Sequence, residues 1–268
     1  MPELPEVETI ARGLCPALVG KTILSADLRC LRTLAEPSPA GFVRRVQGQR
    51  ITDVTRRAKF LRLHLSKDNL LIHLRMSGDL LIKDGDYVPQ KHDRLVLTLS
   101  HHSALIFTDP RKFGRVWLTA DPDEVLGGLG PEPLDPTLTP QMFCERLHAR
   151  RRRLKPLLLD QTFIAGLGNI YTDEALHQAG LHPLTSSQCL STAQAETLLQ
   201  SIREALETGL RHNGASIDWV YRGGEFQHHF RVYGRDGQPC PVCGATIKRL
   251  TIGQRGTHFC PKCQPLTG

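Results

Sequence analysis

Four cysteines near the end of the chain constrain its fold more than any other feature. Cys240-Pro241-Val242-Cys243 is followed by sixteen residues and then by Cys260-Pro261-Lys262-Cys263. Two Cys-x-x-Cys pairs at this spacing can place four thiolates around one tetrahedral zinc ion. Redox pairs or iron–sulfur ligation are the alternatives. The spacer has room for two short strands and a turn, and it carries Arg255 between Gly253 and Gly256. The pattern predicts a zinc-held hairpin with a basic tip. With all four ligands supplied by the protein, the ion is expected to be structural. Cys15, Cys30, Cys144 and Cys189 are scattered singly, which fits a reducing compartment with one metal site rather than a disulfide framework.

The chain around this module is basic. It has 268 residues, enough for two domains with separate cores, and a formal net charge of +7. Such an excess favours a polyanion, with nucleic acid the first candidate and an anionic membrane surface the second. A content of 40% hydrophobic and 23% charged residues predicts a folded chain. There is no apolar run of transmembrane length and no signal-peptide pattern, so a cytoplasmic protein is expected.

Leu4-Pro5-Glu6-Val7-Glu8 reads as a helix start, with Pro5 in the first turn and two acids complementing the dipole. Val7, Ile10, Leu14 and Leu18 form its apolar stripe, and Pro16 threatens a kink near its end. Before it stands Pro2. Removal of the initiator Met would leave a secondary amine, which titrates below lysine and can form an iminium with a carbonyl carbon. Glu3 beside it could move protons. The plain alternative is an ordinary chain terminus.

From residue 20 to residue 125 the period is two. Phe60, Arg62 and His64 alternate with Leu61, Leu63 and Leu65, and further short strands follow without intervening helices. This predicts an antiparallel sandwich or barrel. Lys59 at a strand start reads first as solvated, and His73 in an apolar strand as a hydrogen-bonded core histidine. Asp109-Pro110-Arg111-Lys112-Phe113-Gly114 is a turn with two cations and an aromatic. It could grip phosphate and insert a ring between bases, or simply pack Phe113 inward.

The glycine- and proline-rich stretch 126–140 reads as a linker. Helices are then expected over Gln141–Ala149, Leu154–Leu159, residues 170–179 and a long segment behind the capping box of Ser191 and Gln194. Arg150 to Lys155 is a dense cationic run, most simply a solvated face. Gly166-Leu167-Gly168-Asn169 can present amides and the Asn169 side chain to a phosphate.

Three stretches together resemble the bacterial formamidopyrimidine-DNA glycosylase family: MPELPEVET at the start, QTFIAGLGNIYTDEAL over 161–176 and QRGTHFCPKCQ over 254–264. The resemblance spans essentially the whole chain. It implies an α+β protein: an N-terminal antiparallel β-sandwich with flanking helices over 1–125, and the linker 126–140. A helix–two-turn–helix domain follows over 141–232, with a lesion-side loop at 215–229, and then a zinc-finger module over 233–268. It implies a monomeric glycosylase and abasic-site lyase that excises oxidised purines from double-stranded DNA, with one structural zinc on Cys240, Cys243, Cys260 and Cys263. By the same resemblance Pro2 is the nucleophile and Glu3 handles protons. Lys59 and Arg255 contact phosphates and assist elimination. His73, His92, Arg151 and Asn169 touch DNA, and Met76, Arg111 and Phe113 fill the gap left by an everted base.

Two rival readings accompany it. An endonuclease VIII-like enzyme for oxidised pyrimidines would share the mechanism, although Leu4 favours the purine branch. A non-catalytic zinc DNA-binding protein would explain the charge and the finger, but not the Pro2-Glu3 start. The stretch 216–227 is several residues shorter than the resemblance leads one to expect. Trp219 and Tyr221 are therefore candidates for a rebuilt cap over the lesion, with either a preference for ring-opened purines over 8-oxoguanine or a wider substrate range expected.

Overall fold

The alternating segments of the first half become strands, as a computed structural model describing residues 1–216 and 223–266 shows. The chain divides into two units, one over Met1–Gly128 and one over Leu129–Ala215 and Gly223 onward.

In the first unit α1 (Leu4–Leu18) precedes β1 (Ile23–Leu28), β2 (Leu34–Glu36) and α2 (Pro39–Val46). Then come β3 (Ile51–Arg57), β4 (Phe60–Leu65), β5 (Asn69–His73), β6 (Asp79–Asp84), β7 (Asp93–Leu99), β8 (Ser103–Thr108), β9 (Arg115–Thr119) and the short α3 (Asp123–Leu126). One sheet has the order β2-β9-β5-β4-β3 and the other β1-β7-β8-β6. Pairing is antiparallel except between β2 and β9, which run parallel. Strand β4 turns Leu61, Leu63 and Leu65 into the core, as its period of two requires. There they meet Leu97 and Leu99 of β7, Phe107 of β8 and the Val7–Leu14–Leu18 stripe of α1 in one apolar cluster. The result is a sandwich with helices at its flank. Pro16 lies inside α1, and the helix continues past it to Leu18.

The second unit carries α4 (Pro140–His148), α5 (Leu154–Leu158), α6 (Asn169–Gln178) and α7 (Thr192–Arg211), then the hairpin of β10 (Lys248–Ile252) and β11 (Arg255–Phe259). Ser191 and Gln194 close the expected capping box at the start of α7. Gly209 lets α7 lie against Tyr171 of α6, since a Cβ there would fall 2.5 Å from the ring. From Leu129 on, the stretch with linker composition belongs to this unit. Gly130 N donates to Gln161 O, and the Arg203 guanidinium donates to the carbonyls of Pro133, Asp135 and Leu138. Among the described residues no helix is long and apolar enough to cross a membrane.

Candidate active-site and nucleic-acid-binding residues

The N-terminus of α1 is a buried, hydrogen-bonded structure. Pro2 is buried, and Glu3 is the N-cap with 2% exposure. Its amide donates to Glu6 Oε2 at 2.7 Å, one arm of a capping box. Arg56 of β3 donates to Glu8 Oε2 at 2.8 Å and ties the helix to the strand that leads into Lys59. Ala58, at φ 52°, and Lys59 form a tight turn between β3 and β4, and Lys59 is only 4% exposed. The solvated lysine expected from its surroundings in sequence is thus a buried one.

His73 lies opposite Phe60 in the β4–β5 register, their rings edge to face with centroids 4.7 Å apart. Burial, then the charges of Arg75 and Lys59, lower its pKa to about 3. The ring is therefore neutral. Nδ1 accepts from the Arg75 amide at 3.0 Å, so the proton sits on Nε2, which is left as an uncharged donor.

The turn after β8 is built around Asp109, which is fully buried. Its carboxylate accepts from the Ser77 hydroxyl, from Arg111 N at 3.2 Å and from Gly114 N at 2.7 Å. Arg94 holds the Asp109 carbonyl at 2.7 Å, and the Asp109 amide donates to the His92 carbonyl. This frame leaves Arg111 and Phe113 exposed, with the guanidinium 4.9 Å from the ring centroid. Phe113 is thus not packed inward. His92 is exposed and Met76 half-buried.

In the second unit a closed ring of polar contacts joins α5, α6 and the hairpin. Lys155, fully buried, donates through Nζ to Asp173 Oδ1 at 2.6 Å and to the Asn169 carbonyl at 3.0 Å. Asp173 Oδ2 accepts from the amide of His258 at 2.9 Å. Asn169 Nδ2 reaches the Gly256 carbonyl at 2.8 Å and completes the ring. Gly253 and Gln254, at φ 55° and 63°, make the two-residue turn of the hairpin. Arg255 follows it and is exposed. Arg150 to Arg153 are exposed, Arg151 among them, but Lys155 departs from the solvated run in which the sequence places it.

Helix α6 also holds the approach to the finger. Glu174 accepts the amides of Arg231, Val232 and Tyr233 at 2.8, 3.0 and 2.8 Å. Burial raises its pKa against the pull of those amides. His177 places Nε2 3.4 Å from Cys240 Sγ. Burial, then Arg231 and Arg235, lower its pKa to about 4. The four cysteine sulfurs lie within 4.8 Å of one another, with pairs at 3.8 and 3.4 Å. Four Zn–S bonds in a tetrahedron separate the sulfurs by about 3.8 Å, so the donors fit that ion. The Ala245 amide lowers the Cys243 thiol to about 7, while burial raises Cys260 and Cys263. A bound metal ion would displace the remaining thiol protons. Asp109, Asp173, His258 and His177 are buried structural supports of these segments that the sequence reading did not single out. Trp219 and Tyr221 lie outside the described residues.

The sandwich with its buried Pro-Glu start, the helical unit and the four-cysteine finger each match a domain of known DNA-repair glycosylases. Residues 1–116 match the formamidopyrimidine-DNA glycosylase N-terminal domain, 129–220 its H2TH domain, and 237–266 the zinc finger found in FPG and IleRS. The formamidopyrimidine-DNA glycosylase of Chloroflexus aurantiacus is 45% identical, over 98% of each chain. That of Symbiobacterium thermophilum is 41% identical, over 99% of this chain and 90% of its own. A MutM solved with DNA containing carbocyclic 8-oxo-G superposes with a TM-score of 0.93 at 36% identity, over 99% of this chain and 100% of its own. The Lactococcus lactis Fpg solved with abasic-site DNA gives a TM-score of 0.92 at 36% identity, over 98% of this chain and 100% of its own. The chain belongs to the formamidopyrimidine-DNA glycosylase family.

Proposed function

We propose that this chain is a bifunctional glycosylase and abasic-site lyase that removes oxidised purines, 8-oxoguanine and formamidopyrimidines, from duplex DNA. The observation that carries the reading is the Pro2-Glu3 start, buried at the head of α1, in a chain alike over its whole length to DNA glycosylases. Relatives solved with DNA containing 8-oxo-G, Fapy-dG or an abasic site support oxidised purines as substrates.

The chemistry follows from a secondary amine. After Met1 is removed, the Pro2 nitrogen attacks C1′ of the everted nucleotide and the base leaves with the glycosidic electrons and a proton. Glu3, beside the nucleophile, moves protons as the sugar ring opens to an iminium. The iminium withdraws electrons, so a C2′ proton is lost and the 3′ phosphate departs. Loss of a C4′ proton then expels the 5′ phosphate, and water frees Pro2. Lys59 neutralises phosphate at the lesion, and His73 donates its Nε2 proton to the backbone without adding charge. Arg111 and Phe113, with Met76, occupy the vacated stack, which a frame fixed by Asp109 suits. His92, Arg151, Asn169 and Arg255 hold the DNA backbone. One zinc on Cys240, Cys243, Cys260 and Cys263 fixes the hairpin that bears Arg255, and takes no part in bond breaking. In this reading the enzyme acts as a cytoplasmic monomer, with residues 1–125 bringing the nucleophile and both 1–125 and 141–268 contributing to the grip.

Borohydride trapping on a duplex with 8-oxoguanine opposite cytosine tests the reading. The intact protein is expected to give a covalent band that Pro2→Gly largely loses. Equal trapping by both would move the amine elsewhere, with Lys59 next. Excision of thymine glycol in preference to either purine lesion would instead support an oxidised-pyrimidine enzyme.

A further inference from the structure

Helix α6 touches the finger module along one face. Asp173 and His177 are four residues apart and so share that face, with Glu174 beside them. Asp173 holds β11 and Glu174 the backbone at 231–233. His177 makes a different kind of contact, with a sulfur. It is 4% exposed, and its Nε2 lies 3.4 Å from Cys240 Sγ, itself in a residue 3% exposed.

The tautomer follows from the partner. A metal-bound thiolate has lone pairs and no proton, so it only accepts. Nε2 must then carry the proton of a neutral imidazole, and Nδ1 is left with a lone pair. Nδ1 is buried and has no hydrogen-bond partner among the described residues. That cost is tolerated only if the orientation is fixed elsewhere, and the contact with sulfur fixes it. An N–H donor to a zinc-bound thiolate draws negative charge off the sulfur. It makes that sulfur a weaker nucleophile and holds its lone pair toward the metal.

We propose that His177 is the supporting donor to the Cys240 thiolate, and that it sets how slowly the zinc is released and how slowly that sulfur reacts with electrophiles. The proposal rests on zinc as the occupant of the four cysteines. It assigns no step of DNA cleavage to His177, which acts only through Cys240.

The test uses the full-length protein purified with its zinc. Metal content is measured first. Zinc release is then followed with a chromogenic chelator, with and without iodoacetamide, for the intact protein, His177→Phe and His177→Gln. Phe fills the ring volume without a donor, and Gln puts an amide N–H near the place of Nε2. Release from the Phe variant is expected to be about 10-fold to 100-fold faster, the range for lost outer-shell partners. The Gln variant should stay within about threefold of the intact protein, since it keeps a donor. In the cobalt-substituted proteins, the thiolate-to-cobalt charge-transfer bands should move to longer wavelength in Phe and return in Gln. Equal release and equal bands in all three, or equally fast release from both variants, would overturn the assignment while leaving the zinc reading intact. A protein without zinc would overturn both. If the Phe variant fails to fold, His177→Asn, whose amide is too short to reach Sγ, takes its place against Gln.

Discussion

His73 gives a prediction whose size follows from one group. In the folded chain its pKa is lowered from 6.5 to about 3, first by burial and then by Arg75 and Lys59. A histidine depressed in this way binds a proton in the unfolded chain before it does in the native one. Its contribution is therefore fully present above the unfolded value of 6.5 and is lost as pH falls toward the native value of about 3. Between pH 7 and pH 5 the unfolded chain takes up nearly a full proton at this site while the native chain takes up almost none. The loss over that window is about 2 kcal/mol, from 1.5 units at about 1.4 kcal/mol each. His73→Asn removes the titration but keeps an acceptor for the Arg75 amide, since an Asn carbonyl can bond two residues on. The variant also loses the edge contact with Phe60, an offset that does not titrate and so is the same at every pH. Urea unfolding should be read from Trp117, which packs 5.6 Å from Phe60, in a Trp219→Phe background that removes the chain's other tryptophan. The stability of the intact protein relative to His73→Asn should fall by about 2 kcal/mol from pH 7 to pH 5. A gap that stays constant to within a few tenths would refute a neutral, buried His73.

Asp109→Asn replaces an acceptor of three hydrogen bonds with a group that must present a donor on one side, so urea unfolding of the first unit should show a loss of about 2 kcal/mol. Excision from duplexes should fall further than cleavage of preformed abasic sites, because the frame under Arg111 and Phe113 loosens. Gly114→Ala would place a Cβ 2.4 Å from Phe107 Cζ and 3.2 Å from Asp109 Oδ2, and a thermal melt should report about 1–3 kcal/mol of strain. Asp173→Asn leaves Lys155 charged, fully buried and without its carboxylate, at a cost of about 3–5 kcal/mol. Adding Lys155→Met should recover much of that in a denaturant titration, and no recovery would mean the pair was not the source.

Much of this architecture could be read from the chain, because it is written in local signals. The alternation over Phe60–Leu65 becomes β4 with its leucines inward, and Ser191 with Gln194 caps α7 as read. The four cysteines close together as their spacing requires. What could not be read depends on partners distant in sequence. Lys59 looks solvated beside two arginines, yet the β3–β4 turn buries it near His73. Lys155 looks like the end of an arginine run, but its partner Asp173 lies 18 residues further on, in another helix. His177 on a helix is indistinguishable from an ordinary core histidine until Cys240, 63 residues away, is brought against it. The β2–β9 pair is parallel for the same reason: nothing in either short segment specifies the direction of its neighbour.

The finger shows why α6 carries so many of these distant partners. Apart from the sulfurs, the buried apolar cluster of the module consists of little more than Val232 and Ile247. Strand β10 exposes four of its five residues. So small a core cannot hold a hairpin in place by burial alone. Metal ligation supplies the missing internal stability, since the bound ion is part of the folding free energy. It does not say where the hairpin points, because four cysteines hold the ion in any orientation of the module. Orientation comes from α6, where Asp173, Glu174 and His177 grip β11, the turn at 231–233 and one sulfur in turn. Arg255 and Asn169 are set relative to each other by that grip, through the bond from Asn169 to the Gly256 carbonyl. A metal on the four cysteines would thus make the hairpin while α6 aims it, and in the proposed reading both are needed before Arg255 and Asn169, on separate elements, can hold one DNA backbone.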